Sequence, residues 1–312
     1  MQTFGRDKVP MFLAVDVEPD QNLDVGPRGP VSWTGLPAMR RHLEDLRGSL
    51  EEATGSPLRV GWYIRMDPQI EALCGTADCA ADRMSEVTFS ADGDYLGLHV
   101  HATVWDADKD CWVRANDNPG LRLEHLKVGL EAFATRMGEQ PLRHRFTSGL
   151  IRDPAIAVLA KAGVKVDLTS EPRFGPHFLS RTGRGAYQSA SDPPLTVVRE
   201  SSTSWLPHGR LPWRTLARKA WRPLAGWYLS PYLRYLSPTE YWDEMTRSIA
   251  NMQTPYVSIA FRTDAAGNSN DERSRDLLEA LLTHPLVRDL RFADPLELVP
   301  TTSATKTSFA ND

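Results

Sequence analysis

The sequence contains little cysteine and no long apolar run. Three of its 312 residues are cysteines, Cys74, Cys79 and Cys111, and this odd, low count argues against a disulfide framework and is typical of a reducing compartment. Cys74 and Cys79 could approach each other, but no second pair completes a zinc ribbon, so we expect buried or incidental thiols. Since no uninterrupted apolar stretch is long enough to span a bilayer, no membrane-spanning helix is expected.

A strong charge of either sign is also missing, because the formal net charge is only −4. This balance gives no general attraction for nucleic acid, and the sequence carries no nucleic-acid-binding signature, so no such partner is expected. The N-terminal segment lacks the pattern of a secretory signal, since its apolar run is short and leads directly into acidic residues. The expected location is therefore the cytoplasm.

Three common motifs of nucleotide-binding proteins and hydrolases are absent as well. The sequence has no P-loop, no Gly-x-Gly-x-x-Gly after a predicted strand, and no Gly-x-Ser-x-Gly nucleophile elbow. These absences argue against a P-loop nucleotidase, a dinucleotide-dependent dehydrogenase and an α/β-hydrolase with a serine nucleophile.

Short apolar, β-branched runs alternate with helical patterns along the chain. Strands are predicted at residues 11–18, 58–67, 95–102, 142–149, 164–170, 195–204, 256–264 and 287–294, and helices at residues 36–53, 121–137, 154–163 and 271–282. Repeated strand–helix units predict an α/β fold with a parallel sheet and covering helices. Seven or eight such units favour a closed barrel, in which functional side chains gather at the carboxyl ends of the strands.

A single barrel domain is predicted over residues 1–299, followed by a tail at residues 300–312 that we expect to be disordered. A segment at about residues 205–237 breaks the strand–helix rhythm and mixes arginine and lysine with tryptophan and tyrosine. It is expected to be an insertion over one rim of the barrel. The segment is either a packed cap with snorkelling basic side chains or a patch that contacts a membrane surface or a glycan.

Charged and imidazole side chains recur at the predicted strand ends. Because side chains alternate across a strand, residues two apart share a face. The sets that share a face are Asp16 with Glu18, Arg65 with Asp67, His99 with His101 and Thr103, Arg143 with Arg145, and Arg262 with Asp264. If these side chains converge in a partly buried pocket, they must pair with one another or bind an ion.

The histidines and the first-strand carboxylates suggest a metal site. Two imidazoles with one or two carboxylates form a divalent-metal site of the zinc type, with open positions for water. His99 and His101 lie roughly 6–7 Å apart at Cα on one strand, and their imidazoles can meet at one ion. A His-x-His pair alone is a weak signal, but together with Asp16 and Glu18 it favours metal binding over two ordinary half-buried histidines.

In the order of its motifs, the chain resembles the polysaccharide deacetylases (NodB homology, carbohydrate esterase family 4) over roughly residues 11–294. The family's acidic first motif corresponds to "AVDVEPD", and its histidine motif to "LGLHVHATVW". Its Arg-x-x-x-Gly loop and the helix that follows correspond to "RFTSGLIRDPAIAVLAKAGVKVD". The fold that this resemblance implies is a distorted (β/α)7 barrel, TIM-like and of the glycoside hydrolase and deacetylase type.

The resemblance also implies roles for the strand-end residues. Asp16 would be the general base, and Arg145 would orient it by a charge-assisted pair. Glu18, His99 and a second histidine would bind a divalent metal ion, which we expect to be zinc. The ion would polarise the acyl carbonyl and lower the pKa of its water to about 7.

Two positions depart from the family pattern. The family's two histidines are four residues apart, and the position four residues after His99 is Thr103 in this chain. Because a related His-x-His variety exists among deacetylase-like proteins, His101 is the predicted second ligand and Thr103 is the alternative. The late strand carries Arg262 and Asp264 where the family has a histidine that acts as general acid.

The proton donor is consequently left open. Arg262 is permanently charged, so it is a poor acid but could stabilise an oxyanion. His208, Asp67 and Asp264 remain candidates for the proton transfer.

Three functions are compatible with these residues. The leading one is metal-dependent hydrolysis of an amide bond, namely N-deacetylation of an N-acetyl sugar or glycoconjugate, with Arg65, Trp105 and Trp205 as predicted substrate contacts. The segment at 205–237 would suit a lipid-linked substrate at a membrane surface. The alternatives are an allantoinase-like hydrolase of cyclic amides with the same fold and a glycan-binding barrel without activity. The oligomeric state is not predicted.

Overall fold

The computed structural model describes residues 8–20, 31–86, 93–115, 118–146, 153–169, 187–198, 237–250, 256–265 and 269–300. The strands in these ranges are β1 (Val9–Val17), β2 (Val60–Arg65), β3 (Tyr95–Val100), β4 (Thr103–Asp106), β5 (Cys111–Arg114), β6 (Arg143–Phe146), β7 (Val166–Asp167), β8 (Tyr187–Gln188), β9 (Thr196–Val197), β10 (Val257–Arg262) and β11 (Leu290–Phe292). The α-helices are α1 (Gly35–Thr54), α2 (Pro68–Cys74), α3 (Cys79–Asp82), α4 (Pro119–Met137), α5 (Asp153–Lys161), α6 (Pro238–Ala250) and α7 (Ser269–Thr283). None of the helices in these ranges is long and apolar enough to cross a bilayer.

The main sheet has nine strands and is almost entirely parallel. Its order is β10-β1-β2-β3-β6-β7-β9-β8, with β11 paired to β1, and only the pairing of β8 with β9 is antiparallel. The sheet curls into a half-barrel with helices packed against it, which confirms the predicted α/β class and distorted barrel. The strands β4 and β5 form a separate antiparallel hairpin directly after β3, which the sequence did not predict.

The two faces of the sheet carry different cores. The face that packs against the helices belongs to a large apolar cluster that includes Leu13 and Val15 of β1 and Leu43 of α1. The opposite face carries a smaller cluster, whose members include Phe12 and Ala14. Because side chains alternate, Asp16 and Glu18 continue the row of Phe12 and Ala14 towards the carboxyl end of β1. The candidate site therefore lies on the face away from the helices, at the carboxyl ends of the strands.

Two glycines let helices approach the ends of these strands closely. A Cβ atom on Gly35, the first residue of α1, would lie 1.9 Å from the carbonyl oxygen of Thr263, just past β10. A Cβ atom on Gly129 of α4 would lie 2.6 Å from the carbonyl oxygen of Met66, just past β2. Since both positions oppose backbone, a larger residue would push the helix away from the strand ends that carry the site.

One expectation about the cysteines is wrong. Cys74 and Cys79 form a disulfide bond that joins the end of α2 to the start of α3, and Cys111 is free and half-buried. The two half-cystines are five residues apart with Cα atoms 6.2 Å from each other, a distance well suited to a disulfide. The cysteine count therefore no longer supports a reducing compartment.

Candidate metal centre

Glu18, His99 and His101 form a buried cluster at the carboxyl ends of β1 and β3. One potential ligand atom from each residue lies within 4.8 Å of the other two. The Nε2 atoms of His99 and His101 are 2.9 Å apart. Oε1 of Glu18 lies 3.4 Å from Nε2 of His99, and Oε2 lies 3.4 Å from Nε2 of His101. The structure thus places His101 at this cluster.

The hydrogen bonds of His99 determine which of its ring nitrogens faces the cluster as a lone pair. Nδ1 of His99 lies 2.9 Å from the backbone carbonyl oxygen of Arg145. A carbonyl oxygen only accepts, so Nδ1 carries the proton, and in the neutral ring Nε2 is an acceptor. That lone pair points towards His101 and Glu18. A second contact of the same kind, from Nδ1 of His125 to the carbonyl oxygen of His101 at 3.0 Å, fixes the backbone of the next ligand.

The protonation states suit a divalent cation. Burial, reinforced by the nearby charge of Arg65, lowers the pKa of His101 to about 3, so its imidazole is neutral at pH 7. Burial alone would raise the pKa of Glu18, but Arg262 and His101 outweigh it and hold this pKa well below its usual value. Oε1 of Glu18 is buried and has no hydrogen-bond partner among the described residues. Two imidazoles and an ionised carboxylate are a donor set that fits zinc or a similar ion.

Asp16 lies beside this cluster and is held by Arg145. Nε of Arg145 donates a hydrogen bond to Oδ2 of Asp16 at 3.0 Å. The same Nε lies 2.9 Å from Oδ1, but the angle between them does not allow a hydrogen bond. Oδ1 instead lies 3.7 Å from Nδ1 of His99. Arg145 also donates to the carbonyl oxygen of Leu168 at 2.9 Å. The guanidinium of Arg145 therefore orients the carboxylate of Asp16 next to the cluster. This guanidinium is itself fixed by the backbone of Leu168, just after β7.

The charges around the cluster are grouped in pairs. Each of three arginines has a carboxylate of its own: Arg65 with Asp67 at 2.7 Å, Arg145 with Asp16 at 2.9 Å, and Arg262 with Asp264 at 2.7 Å. Glu18 is the fourth carboxylate, and it lies within 3.4 Å of Arg65 and 3.0 Å of Arg262. Counted formally, three arginines and four carboxylates give these groups a net charge of −1. This excess of negative charge favours a cation in a buried setting where little water can offset it.

Several predicted site residues have other roles in the geometry. Arg65 and Asp67 are both 0% exposed. Asp67 accepts from the backbone nitrogens of Gln69 and Ile70 through Oδ1, and from Arg65 and the backbone nitrogen of His101 through Oδ2. These contacts keep its pKa low against the effect of burial. Asp67 is thus poorly suited to shuttle a proton, and Arg65 has no exposed surface with which to meet a substrate.

The remaining predictions fall partly outside the described residues. His208 and Trp205, with almost all of the segment at 205–237, lie there and stay predictions. Thr103 is buried and donates to the side-chain oxygen of Gln69 at 2.7 Å. Trp105 lies opposite Trp112 in the β4–β5 hairpin, with ring centroids 5.6 Å apart.

Two residues that sequence reasoning missed contact the cluster's backbone or its arginines. Thr263 is buried, and its Oγ1 accepts from the backbone nitrogen of Glu18 at 2.7 Å and donates to the carbonyl oxygen of Glu18 at 2.7 Å. Gln69 is also buried and contacts both Arg65 and Thr103. Thr263 lies between Arg262 and Asp264 at the end of a predicted strand and could have been considered with them. Nothing in the sequence singles out Gln69.

Comparisons with known proteins give similarity of structure only. No protein-family model matches the sequence, and no curated protein was found to match it. A candidate polysaccharide deacetylase from Mycobacterium smegmatis is 12% identical, with 96% of this chain and 91% of that one covered and a TM-score of 0.49. A 4-alpha-glucanotransferase from Thermococcus litoralis is 13% identical, with 96% and 41% covered and a TM-score of 0.45. A mutant of a carbohydrate esterase family 4 pseudoenzyme with restored activity is 9% identical, with 92% and 70% covered and a TM-score of 0.38.

Proposed function

We propose that the protein is a metal-dependent hydrolase that cleaves an amide carbon–nitrogen bond, and that its reaction is the N-deacetylation of an N-acetyl sugar or glycoconjugate. The observation that carries this proposal is the convergence of Glu18, His99 and His101 beside the Arg145–Asp16 pair. A metal site alone has many uses, but a metal site next to an oriented free carboxylate is the arrangement that hydrolysis of an acyl group needs.

The residues around the cluster divide the chemistry between them. A zinc ion held by Glu18, His99 and His101 would supply Lewis-acid activation of the acyl carbonyl and of a water molecule. Asp16, held by Arg145, accepts the proton of the water that attacks the acyl carbon. The carbon–nitrogen bond breaks when the leaving amine receives a proton, which gives a free amine and a carboxylate.

Arg262 is proposed to stabilise the oxyanion, and Asp264 is proposed to donate the proton that the leaving amine receives. Their side chains are 22% and 18% exposed, in contrast to the fully buried pair of Arg65 and Asp67. The neighbouring carboxylates Glu18 and Asp264 outweigh the effect of burial and raise the pKa of Arg262 further, so it stays charged and can stabilise the oxyanion. Burial raises the pKa of Asp264 despite the adjacent Arg262, which favours it over Asp67 as the proton donor.

The proposal extends to the domain that carries the site and to the segment at 205–237. A single barrel domain over residues 1–299 would carry the site, and the segment at 205–237 would bring a lipid-linked or glycan substrate to it from a membrane surface. We propose peripheral membrane contact through this segment; the disulfide between Cys74 and Cys79 removes the support that the cysteine count gave to a cytoplasmic location.

The test is turnover by metal-free and reloaded protein. Protein stripped by a chelator and checked by elemental analysis should not release acetate from N-acetylated sugars, and one equivalent of zinc should restore the reaction. Asp16→Asn, which keeps the size of the side chain, should retain zinc but lose at least about 100-fold in kcat. Full activity without metal would contradict the proposal, and binding of N-acetyl sugars with no turnover would favour a glycan-binding barrel.

A further inference from the structure

We propose that Gln69 is a positioning residue for the metal centre, which acts through Arg65 to hold Oε2 of Glu18 and leave Oε1 as the oxygen that an ion can use. This inference rests on the proposed function, because it concerns how the chain prepares its own ligands for the ion.

Each of the three guanidinium nitrogens of Arg65 donates to a side-chain oxygen. Its Nε donates to Oδ2 of Asp67 at 2.7 Å, and its Nη2 donates to Oε1 of Gln69 at 2.5 Å. Its Nη1 donates to Oε2 of Glu18 at 3.4 Å. Because the guanidinium is planar, two contacts on the side of α2 fix the direction in which the third nitrogen points. The start of α2 therefore sets where Arg65 meets Glu18.

The two carboxylate oxygens of Glu18 have different hydrogen-bond partners. Oε2 faces two guanidiniums, from Arg65 at 3.4 Å and from Arg262 at 3.0 Å. Oε1 is buried, receives no hydrogen bond from the described residues, and lies 3.4 Å from Nε2 of His99. A carboxylate oxygen in such a position is costly unless a cation or a donor reaches it. Both oxygens lie 3.4 Å from an imidazole, Oε1 from His99 and Oε2 from His101, but the guanidiniums occupy Oε2 and leave Oε1 without a donor in the described part of the chain.

Gln69 is also linked to the segment that follows β3 and carries His101. Its Oε1 also accepts from Oγ1 of Thr103 at 2.7 Å, and its neighbour Asp67 accepts from the backbone nitrogen of His101 at 3.0 Å. One amide oxygen thus joins Arg65, which faces Glu18, to β4, which follows His101. Loss of this oxygen would leave two buried donors without a partner and loosen both sides of the ligand set.

The experiment compares zinc and cobalt binding by native protein and by Gln69→Met, which keeps the length of the side chain but removes the acceptor. Zinc affinity, measured by competition with a chromophoric chelator, should fall about 10- to 100-fold, as for other groups that orient a ligand from behind. The d–d absorption band of bound Co²⁺ should also change in shape. Gln69→Glu keeps an acceptor oxygen and should bind zinc within about threefold of the native affinity or more tightly.

Two controls separate positioning from loss of stability and cover the case in which Gln69→Met does not fold. Trp242→Phe removes another buried hydrogen bond, from the indole nitrogen to the carbonyl oxygen of Leu277 at 2.8 Å, and should leave zinc affinity and the cobalt spectrum unchanged. Arg65→Lys keeps the charge but cannot reach three acceptors, and should reproduce the loss of affinity.

The outcomes distinguish this inference from the proposed function. If native protein binds no zinc through His99 and His101, the proposed function fails first. If native protein binds zinc, and Gln69→Met and Arg65→Lys bind it equally well, the positioning role of Gln69 is overturned while the metal site stands.

Discussion

His99 donates a hydrogen bond from Nδ1 to the backbone carbonyl oxygen of Arg145, 2.9 Å away on the neighbouring strand. The side chain of the same arginine pairs with Asp16. One residue thus serves the metal centre twice, because its backbone orients a ligand and its side chain orients the proposed base. The two roles can be separated, since a substitution of Arg145 removes its side chain but keeps its backbone carbonyl.

Arg145→Ala should therefore impair catalysis much more than metal binding. The backbone carbonyl remains, so His99 keeps its tautomer and zinc affinity should stay within about threefold of the native value. The orienting charge beside Asp16 is lost, so kcat should fall by about 10- to 100-fold. Zinc competition and acetate release measure the two effects separately. A loss of zinc affinity that matches the loss of kcat would show that the side chain supports the ligands.

Glu18→Gln should abolish the stabilisation of the fold by zinc. In native protein, zinc at about 100 times its dissociation constant should stabilise the folded state by about 2.7 kcal/mol. The variant keeps the shape of the side chain but removes the charge that a cation would meet, so its melting temperature should not respond to zinc. Calcium, a hard ion that prefers oxygen ligands, is the matched control and should raise neither melting temperature. An equal response to zinc in both proteins would place the ion elsewhere.

The alternation of side chains explains how much of this centre the sequence could predict. Asp16 and Glu18 share a face, as do His99 and His101, because the period of a strand is two. The parallel sheet then brings the carboxyl ends of β1 and β3 to the same edge. Neither the period of two nor the shared edge of parallel strands depends on the turns between strands. The grouping of these four side chains can therefore be predicted even when the predicted ends of a strand are wrong by a residue or two.

The contacts that could not be predicted depend on distances between elements. Gln69 matters because α2 places it against Arg65 and Thr103, and Thr263 matters because its hydroxyl reaches the backbone of Glu18. The disulfide between Cys74 and Cys79 depends on a bend between two short helices. No periodicity encodes such contacts, and an ordinary glutamine or threonine in these positions looks the same in the sequence.

Tyr63 and Tyr95 should make the protein lose stability above pH 10. Burial raises the pKa of both phenols, and both hydroxyl oxygens lack a hydrogen-bond partner among the described residues. In the unfolded chain each phenol ionises near pH 10, whereas in the folded protein it stays neutral. The unfolded state then binds fewer protons, so each phenol should lower the free energy of unfolding by about 1.4 kcal/mol per pH unit above pH 10.

Tyr63→Phe tests this prediction directly. The variant removes a buried hydroxyl without a protein partner, so at pH 7 its free energy of unfolding should equal or exceed that of native protein. Above pH 10 the free energy of unfolding of the variant should fall less steeply with pH, by about 1.4 kcal/mol per pH unit. Urea unfolding at several pH values provides the measurement. Destabilisation of more than about 1 kcal/mol at pH 7 would mean that the hydroxyl has a partner after all.

Thiol titration should report one reactive cysteine in denatured protein that has not been reduced. Cys74 and Cys79 are joined, and Cys111 is free and half-buried. After reduction, three thiols should react. Cys111→Ser should lower both counts by one, to none and two. A count of three in protein that was unfolded anaerobically without reductant would contradict the disulfide.

Trp105 should contribute to substrate affinity if the proposed function is right. It lies two residues beyond Thr103 on the same face of the β4–β5 hairpin, and an aromatic ring at this position would suit the apolar face of a sugar ring in the proposed substrate. Trp105→Ala should raise KM for an N-acetyl sugar about 10-fold, or roughly 1.4 kcal/mol, with kcat within about twofold. Val104 is 41% exposed and points to the opposite face of the hairpin, so Val104→Ala is the matched control and should change neither constant. A fall in kcat at constant KM would instead indicate that Trp105 supports the hairpin and, through it, the adjoining segment that carries His101, because the pair of Trp105 and Trp112 joins the two strands of that hairpin.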